Sequence, residues 1–224
     1  MSRKITYGLI PLLVFCEVAA FAQVQDAGLW LSAAIEKRVS RSVSFCFTEE
    51  VRLDENMSEV GTIFSDIGVE YRFLKRFSVA GYYRFTLKRR LDDTYEPRNR
   101  HYIDIGYREK FNPVKLTLRL RFQSQYPYFF ADHAVRDPEY DTRVRLKLAL
   151  DLNRRYEPYL SAESFFGMSN NEGVFLDAMR YCAGVEYNFN RMHKIDLHYM
   201  IQQEYQVKNP ETDFILGLSY SFLF

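Results

Sequence analysis

The 224-residue chain carries 30 Lys and Arg against 29 Asp and Glu, with a mean hydropathy of −0.30. Such a polar average excludes a bundle of membrane-spanning helices, each needing about 20 mostly apolar residues. The near-neutral charge excludes a strongly basic nucleic-acid binder, and 47% hydrophobic residues exclude a disordered chain. What calls for explanation is the aromatic load, 17 Tyr and 19 Phe beside a single Trp.

The chain opens with a short basic stretch, Ser2-Arg3-Lys4, and an apolar run from Ile5 to Phe15. Ala20-Phe21-Ala22 then supplies the small-x-small pattern of an export-signal cleavage site, so residues 1–22 read as a signal peptide cut before Gln23. Leu13-Val14-Phe15 ahead of Cys16 lacks the small residues of a lipidation site. Removing residues 1–22 leaves 28 basic and 28 acidic side chains, and two cysteines, Cys46 and Cys182. Two are too few for a disulfide scaffold. The remaining 23–224 is one domain by length.

From there apolar and polar residues alternate almost without interruption, the period of a strand with two unlike faces. Val43, Phe45, Phe47 and Val51 oppose Ser44, Cys46, Thr48, Glu50 and Arg52. Ile63, Ile67, Val69, Tyr71 and Phe73 oppose Asp66, Gly68, Glu70 and Arg72. Phe77, Val79, Tyr83, Phe85 and Leu87 oppose Tyr82, Arg84 and Lys88. The clearest pair follows: Val114 to Phe122 alternate with Lys115, Thr117, Arg119, Arg121 and Gln123, and Val144 to Leu150 with Arg143, Arg145 and Lys147. Further segments at 157–167, 176–189, 193–205 and 212–224, with those near 29–37 and 101–111, bring the count to about eleven. Globular strands average about 5–6 residues, whereas a tilted strand crossing a bilayer needs about 9–11. These segments have the longer length.

Short connections at Leu74-Lys75, Asn112-Pro113, Asn153-Arg154-Arg155 and Asn190-Arg191 alternate with longer polar ones at 54–60, 89–100, 125–139, 168–175 and 206–211. Short turns on one rim and loops on the other are the pattern of outer-membrane barrels, the short rim being periplasmic. Aromatics gather beside the short turns (Tyr71, Phe73, Phe77, Phe111, Tyr156, Tyr187, Phe189), where an interfacial girdle belongs. The C-terminus, Gly217 followed by Tyr220, Phe222 and the terminal Phe224, resembles the assembly signal of such barrels. Because single-chain bacterial barrels have even strand numbers, eleven segments imply an all-β, antiparallel up-and-down transmembrane barrel of 10–12 strands, with 12 preferred.

With apolar faces turned to lipid, the polar set lines the lumen. It carries Arg72, Arg84, Arg108, Arg119, Arg121, Arg143, Arg145, Lys147 and Arg180 against Glu50, Glu70, Asp104, Glu163 and Glu186. Two readings follow: a charge ladder that fills a narrow lumen, or a pore lining that selects small charged solutes. The aromatics Tyr126, Tyr128, Phe129 and Phe130 of the longest loop are read either as part of a second girdle or as a recognition surface.

Catalysis finds little to build on. Asp196-Leu197-His198 places a carboxylate and an imidazole on one strand face, a weak resemblance to the Asp-x-His pair of the omptin outer-membrane proteases. It lies beside the short Asn190-Arg191 turn, at the opposite end from omptin catalysis. His101 has no nearby Ser, His133 sits in a loop, and His193 and His198 point to opposite faces, so no metal site or cofactor is expected. No Gly-rich phosphate loop occurs.

Gly28-Leu29-Trp30, Glu49-Glu50-Val51-Arg52-Leu53, Gly81-Tyr82-Tyr83-Arg84 and Glu157-Pro158-Tyr159 followed by Glu163 resemble the uncharacterised Bacteroidetes-type exported proteins of domain-of-unknown-function family 2490. The resemblance covers nearly the whole chain after residue 22 and implies an outer-membrane barrel with no assigned activity. The expectation is a barrel in the outer membrane of a Gram-negative bacterium, not an enzyme, with a structural, accessory or binding role. Its partners would be outer-membrane lipid and the barrel-assembly machinery, with no nucleic acid and an unidentified protein at the outer loops. A small channel is the alternative, and an outer-membrane hydrolase a distant third.

Overall fold

A computed structural model describes residues 24–127, 138–152, 155–169, 173–207 and 210–224. The expected signal peptide (1–22), and Tyr128, Phe129, Phe130 and His133 of the longest loop, lie outside the described residues. Among the described residues every regular element is a strand: β1 Val24–Arg38, β2 Val43–Asp54, β3 Glu59–Arg72, β4 Phe77–Arg89, β5 Tyr95–Phe111 and β6 Val114–Pro127. β7 Glu139–Leu150, β8 Tyr156–Ser169, β9 Gly173–Asn188, β10 His193–Glu204 and β11 Glu211–Leu223 complete the chain. Among the described residues no helix is long and apolar enough to cross a membrane, which says nothing of a strand-built crossing.

Consecutive strands pair antiparallel, and the sheet closes on itself between β1 and β11. That closure corrects the expected strand number. Among the described residues the closed barrel has eleven strands, neither ten nor twelve. In an up-and-down meander with an odd count, the first and last strands run the same way, so β1 and β11 pair parallel, from Val24↔Glu211 to Glu36↔Leu223. The evenness rule failed because it assumes an all-antiparallel closure, which one parallel seam replaces. Arg38 N donating to Phe224 O (2.9 Å) and Phe224 N to Glu36 O (3.0 Å) fasten the chain end into the seam.

A second difference concerns the loops. The stretch 89–100, read as a loop, is mostly β5, which pairs with β4 up to Arg89↔Tyr95. The connection is a turn over 90–94. Likewise 54–60 shrinks to a turn at 55–58, in which Glu55, Asn56 and Met57 take left-handed φ values of 49°, 58° and 65°. The Asp26 carboxylate holds that turn by accepting the amides of Glu55 (3.0 Å) and Asn56 (2.7 Å). These strand ends are polar on both faces, so hydropathy reads them as loop, while ladder hydrogen bonding makes them wall.

The period of two sorts the side chains. Outward positions such as Leu31, Phe47, Ile67, Ile103, Leu118, Leu146, Leu160, Val185, Leu197 and Leu218 form an exposed apolar belt around the barrel. At the short-turn rim the outward aromatics touch one another. Phe77 meets Tyr107 at 4.9 Å between centroids, Tyr156 meets Tyr187 at 4.8 Å, and Tyr187 meets Phe189 at 4.6 Å. Polar and apolar side chains share the buried positions about equally, and Asp66, Arg84, Arg121 and Glu163 are among those that point inward. The core of this protein is its lumen.

Candidate functional site

An eight-stranded barrel is just wide enough for ordinary side chains to fill. Eleven strands leave a wider bore, and only long or flat groups reach across it. Arginine and aromatic rings fit that need, since a guanidinium on a three-carbon stem stacks on ring faces and also binds carboxylates.

The lumen shows a girdle built this way. Around the wall, the Arg52 guanidinium lies 3.6 Å from the Trp30 ring centroid and 4.9 Å from Phe64. Arg84 lies 3.5 Å from Phe64 and 5.8 Å from Tyr102. Arg121 lies 3.8 Å from Tyr102. On the far side Arg143 lies 4.5 Å from Phe165, and Arg180 lies 4.9 Å from both Phe165 and Trp30, which returns the circuit to its start. Rings and cations alternate except at one point, where Arg121 and Arg143 are direct cross-strand partners with no ring between them.

Carboxylates lace this girdle. Arg84 grips Asp66 with two bonds (2.8 and 2.6 Å), and the Tyr102 hydroxyl donates to the same carboxylate (2.8 Å). Arg121 grips Asp104 at 2.6 and 2.7 Å. Arg52 bonds Glu50 at 2.6 Å. Glu163 receives Arg119 at 2.5 Å and Arg180 at 3.8 Å. Arg180 also donates to the Gln202 amide oxygen.

The other predicted lumen residues lie toward the short-turn rim. Arg72 bonds Glu70 at 2.8 Å and reaches Glu36 at 3.4 Å. Glu186 takes Lys147 at 2.6 Å and Lys194 at 3.5 Å. Arg108 borders the cavities beside Glu70 and Thr117. Arg145 faces its register partners Arg119 and Glu163.

Asp66, Trp30, Phe64, Tyr102 and Phe165 were absent from the predicted set. Asp66 alternates with Ile67 on a polar face, a legible signal. The lumen set read from the sequence holds charged side chains only, although the Tyr102 and Phe64 rings occupy even, inward positions.

Gly217 faces Trp30 across β1 and His198 across β10. A Cβ on it would stand 1.9 Å from His198 Nε2, so the imidazole fills the space that this glycine leaves. Tyr220, Phe222 and Phe224 share the outward face, with Tyr220 on the His193 ring nitrogen (2.6 Å) and Phe222 on Phe224 at 5.3 Å.

Asp196 and His198 do meet, through His198 Nδ1, and Tyr159 donates to the same carboxylate at 3.1 Å. Tyr159 also lies 3.8 Å from Cys182 Sγ, and these groups share the inward wall below the girdle. Among the described residues no hydroxyl or thiol is bonded to His198 Nε2. Among the described residues no three or more His, Cys, Asp or Glu side chains are grouped to hold a metal ion.

Within the lumen lies a cavity of about 450 Å³. Eight arginines and five carboxylates border it, with Trp30, Phe64 and Tyr102 among the rings. A larger opening of about 750 Å³ sits at the opposite rim between Glu55, Arg89 and Glu96. There Arg89 is shared by Glu55 (2.9 Å) and Asp93 (2.6 Å).

Comparison with solved structures finds a likeness of fold to a bacterial polysaccharide outer membrane secretin, with a TM-score of 0.51 and 11% identity over 80% of this chain and 74% of that one. No curated protein matches the sequence. A family model described as a protein of unknown function, DUF2490, matches residues 27–213, from near the start of β1 to the start of β11, and the chain belongs to that family.

Proposed function

We propose that this protein is an outer-membrane β-barrel whose lumen is filled by its own side chains, with a structural, accessory or binding role rather than that of an open pore. The observation that carries the reading is the closed girdle of stacked guanidiniums and rings. Phe64, Tyr102, Arg84, Arg121, Asp66, Glu163 and Phe165 are each 9% exposed or less although they face the bore. A water-filled channel would leave such groups wet.

The membrane location is supported by the apolar belt outside, by the aromatic rim, and by a fold neighbour named as an outer-membrane protein. A contiguous apolar surface of this extent around a soluble monomer would drive association. In this reading Gly217, Tyr220, Phe222 and Phe224 form the strand that the assembly machinery recognises, and residues 1–22 direct export. No catalytic step is assigned to Asp196 and His198, and His198→Ala leaves hydrolytic activities unchanged.

The test begins with the folded state. Boiled and unboiled protein from the outer-membrane fraction will migrate differently on a denaturing gel. Identical migration together with recovery in the soluble periplasm defeats the proposal. The lumenal cavity favours one second reading, a narrow channel for small charged solutes. Planar-bilayer recordings separate the two, since a filled barrel is silent and a channel gives repeatable unitary steps.

A further inference from the structure

β6 and β7 do something that sheets ordinarily avoid. In register, Arg119 faces Arg145 and Arg121 faces Arg143, so four guanidiniums form a square on adjoining inward positions. Like charges directly opposite one another destabilise a sheet, and in a half-dry bore the repulsion is stronger than in water. Arg180 borders the same cavity from β9 and reaches the same carboxylate, Glu163. Five cations thus converge, and the carboxylates near them are Asp104, Glu163, Asp141 one inward position along β7, and Asp177 beside Arg143. Asp141 is engaged by Gln123 (2.6 Å).

The hydrogen-bonding count points the same way. The Nε atoms of Arg119, Arg143 and Arg145 are buried and have no hydrogen-bond partner. Leaving buried donors on charged groups unmet costs more than a neutral pair returns. Arg52, Arg84 and Arg121, by contrast, each commit Nε to a carboxylate. The unmet donors occur on the square, bordering the cavity of about 450 Å³, a volume ample for a small anion and its remaining water.

We propose that this square is a binding site for a phosphate-type oxyanion, held by Arg143 and Arg145 with Arg119 behind them. A tetrahedral dianion matches the fork geometry of guanidinium pairs and neutralises the excess charge of guanidiniums whose buried Nε atoms have no acceptor of their own. It also brings more charge and more acceptor oxygens than a carboxylate solute, which suits a site of three guanidiniums. The inference rests on the barrel reading for its location and adds a ligand class to it.

The test uses detergent-purified full-length protein in a low-chloride gluconate buffer, titrated calorimetrically with inorganic phosphate and, in parallel, with glycerol 3-phosphate. Saturable one-to-one binding is expected, weakened at least tenfold in Arg143→Gln/Arg145→Gln protein that still shows the gel shift on boiling. If the double variant loses that shift, Arg145→Gln alone replaces it, with at least a threefold loss expected. Preference for the free ion or for the ester identifies the source of the phosphate, and either supports the site. Absence of saturable binding by heat-modifiable wild-type protein overturns the site while leaving the barrel standing. Equal binding by the folded variants overturns it too. Absence of the gel shift in wild type overturns the barrel reading and the site with it.

Discussion

The two halves of the lumen solve the same problem differently. Between β2 and β5, Arg52 and Arg84 each meet a ring on either side and a carboxylate in front, as Arg84 does with Phe64, Tyr102 and Asp66. Between β6 and β9 the cations outnumber both rings and acids, and Arg119 and Arg180 draw on one carboxylate, Glu163. The first half is built mainly of such satisfied pairs, as expected of a scaffold, although Arg100 faces Arg84 in register and bonds the Gln125 amide oxygen rather than a carboxylate. The second holds charge in reserve, as expected of a surface awaiting a ligand. Buried ion pairs contribute little net stability over apolar packing, yet removing one partner is severe. The halves should therefore respond differently to the same kind of damage.

The largest effect is expected at Glu163. Glu163→Gln leaves Arg119 and Arg180 without their shared counter-charge, with a fall in stability of about 3–5 kcal/mol. Denaturant titration of the heat-modifiable band measures it, and millimolar phosphate should recover part of the loss. Asp66→Asn comes next, at about 3 kcal/mol, since Arg84 loses its bidentate partner but keeps two rings. Phosphate should not rescue it, and equal rescue of both variants would erase the distinction between the halves.

Trp30→Leu opens the girdle where its two halves join, at Arg52 and Arg180. It should cost about 1–2 kcal/mol for the two lost stacking contacts, and in bilayer recordings it is the change expected to turn silence into conductance. Arg145→Gln should be the smallest, within about 0.5 kcal/mol of wild type or slightly stabilising, because it relieves one like-charge contact. A loss above about 2 kcal/mol would place Arg145 among the satisfied residues and end the comparison.

Much of this architecture was legible in the chain. Strand existence followed from the period of two, because Val144-Arg145-Leu146-Lys147-Leu148 has no other way to separate its faces. The inward set followed from the same parity. Loops were less legible. Residues 95–100 are polar on both faces, so nothing in their hydropathy distinguishes a wall above the apolar belt from a loop. The rings were the hardest. Tyr102 and Phe64 contribute to composition as Tyr71 and Phe73 do, yet parity alone turns the first two toward arginine and the last two outward.

The sequence by itself determined an alternating chain of about eleven long strands, an apolar exterior and a polar interior rich in both signs. Side-chain parity is a property of the backbone, and it needs no partner to be read. Only the tertiary structure decided that eleven strands close through a parallel seam, and that Asp66 serves Arg84 while Arg143 and Arg145 keep unmet donors. Those outcomes depend on register between strands and on the width of the closed bore. Residues far apart in the chain become neighbours only once the ring is complete, as Arg180 and Trp30 do.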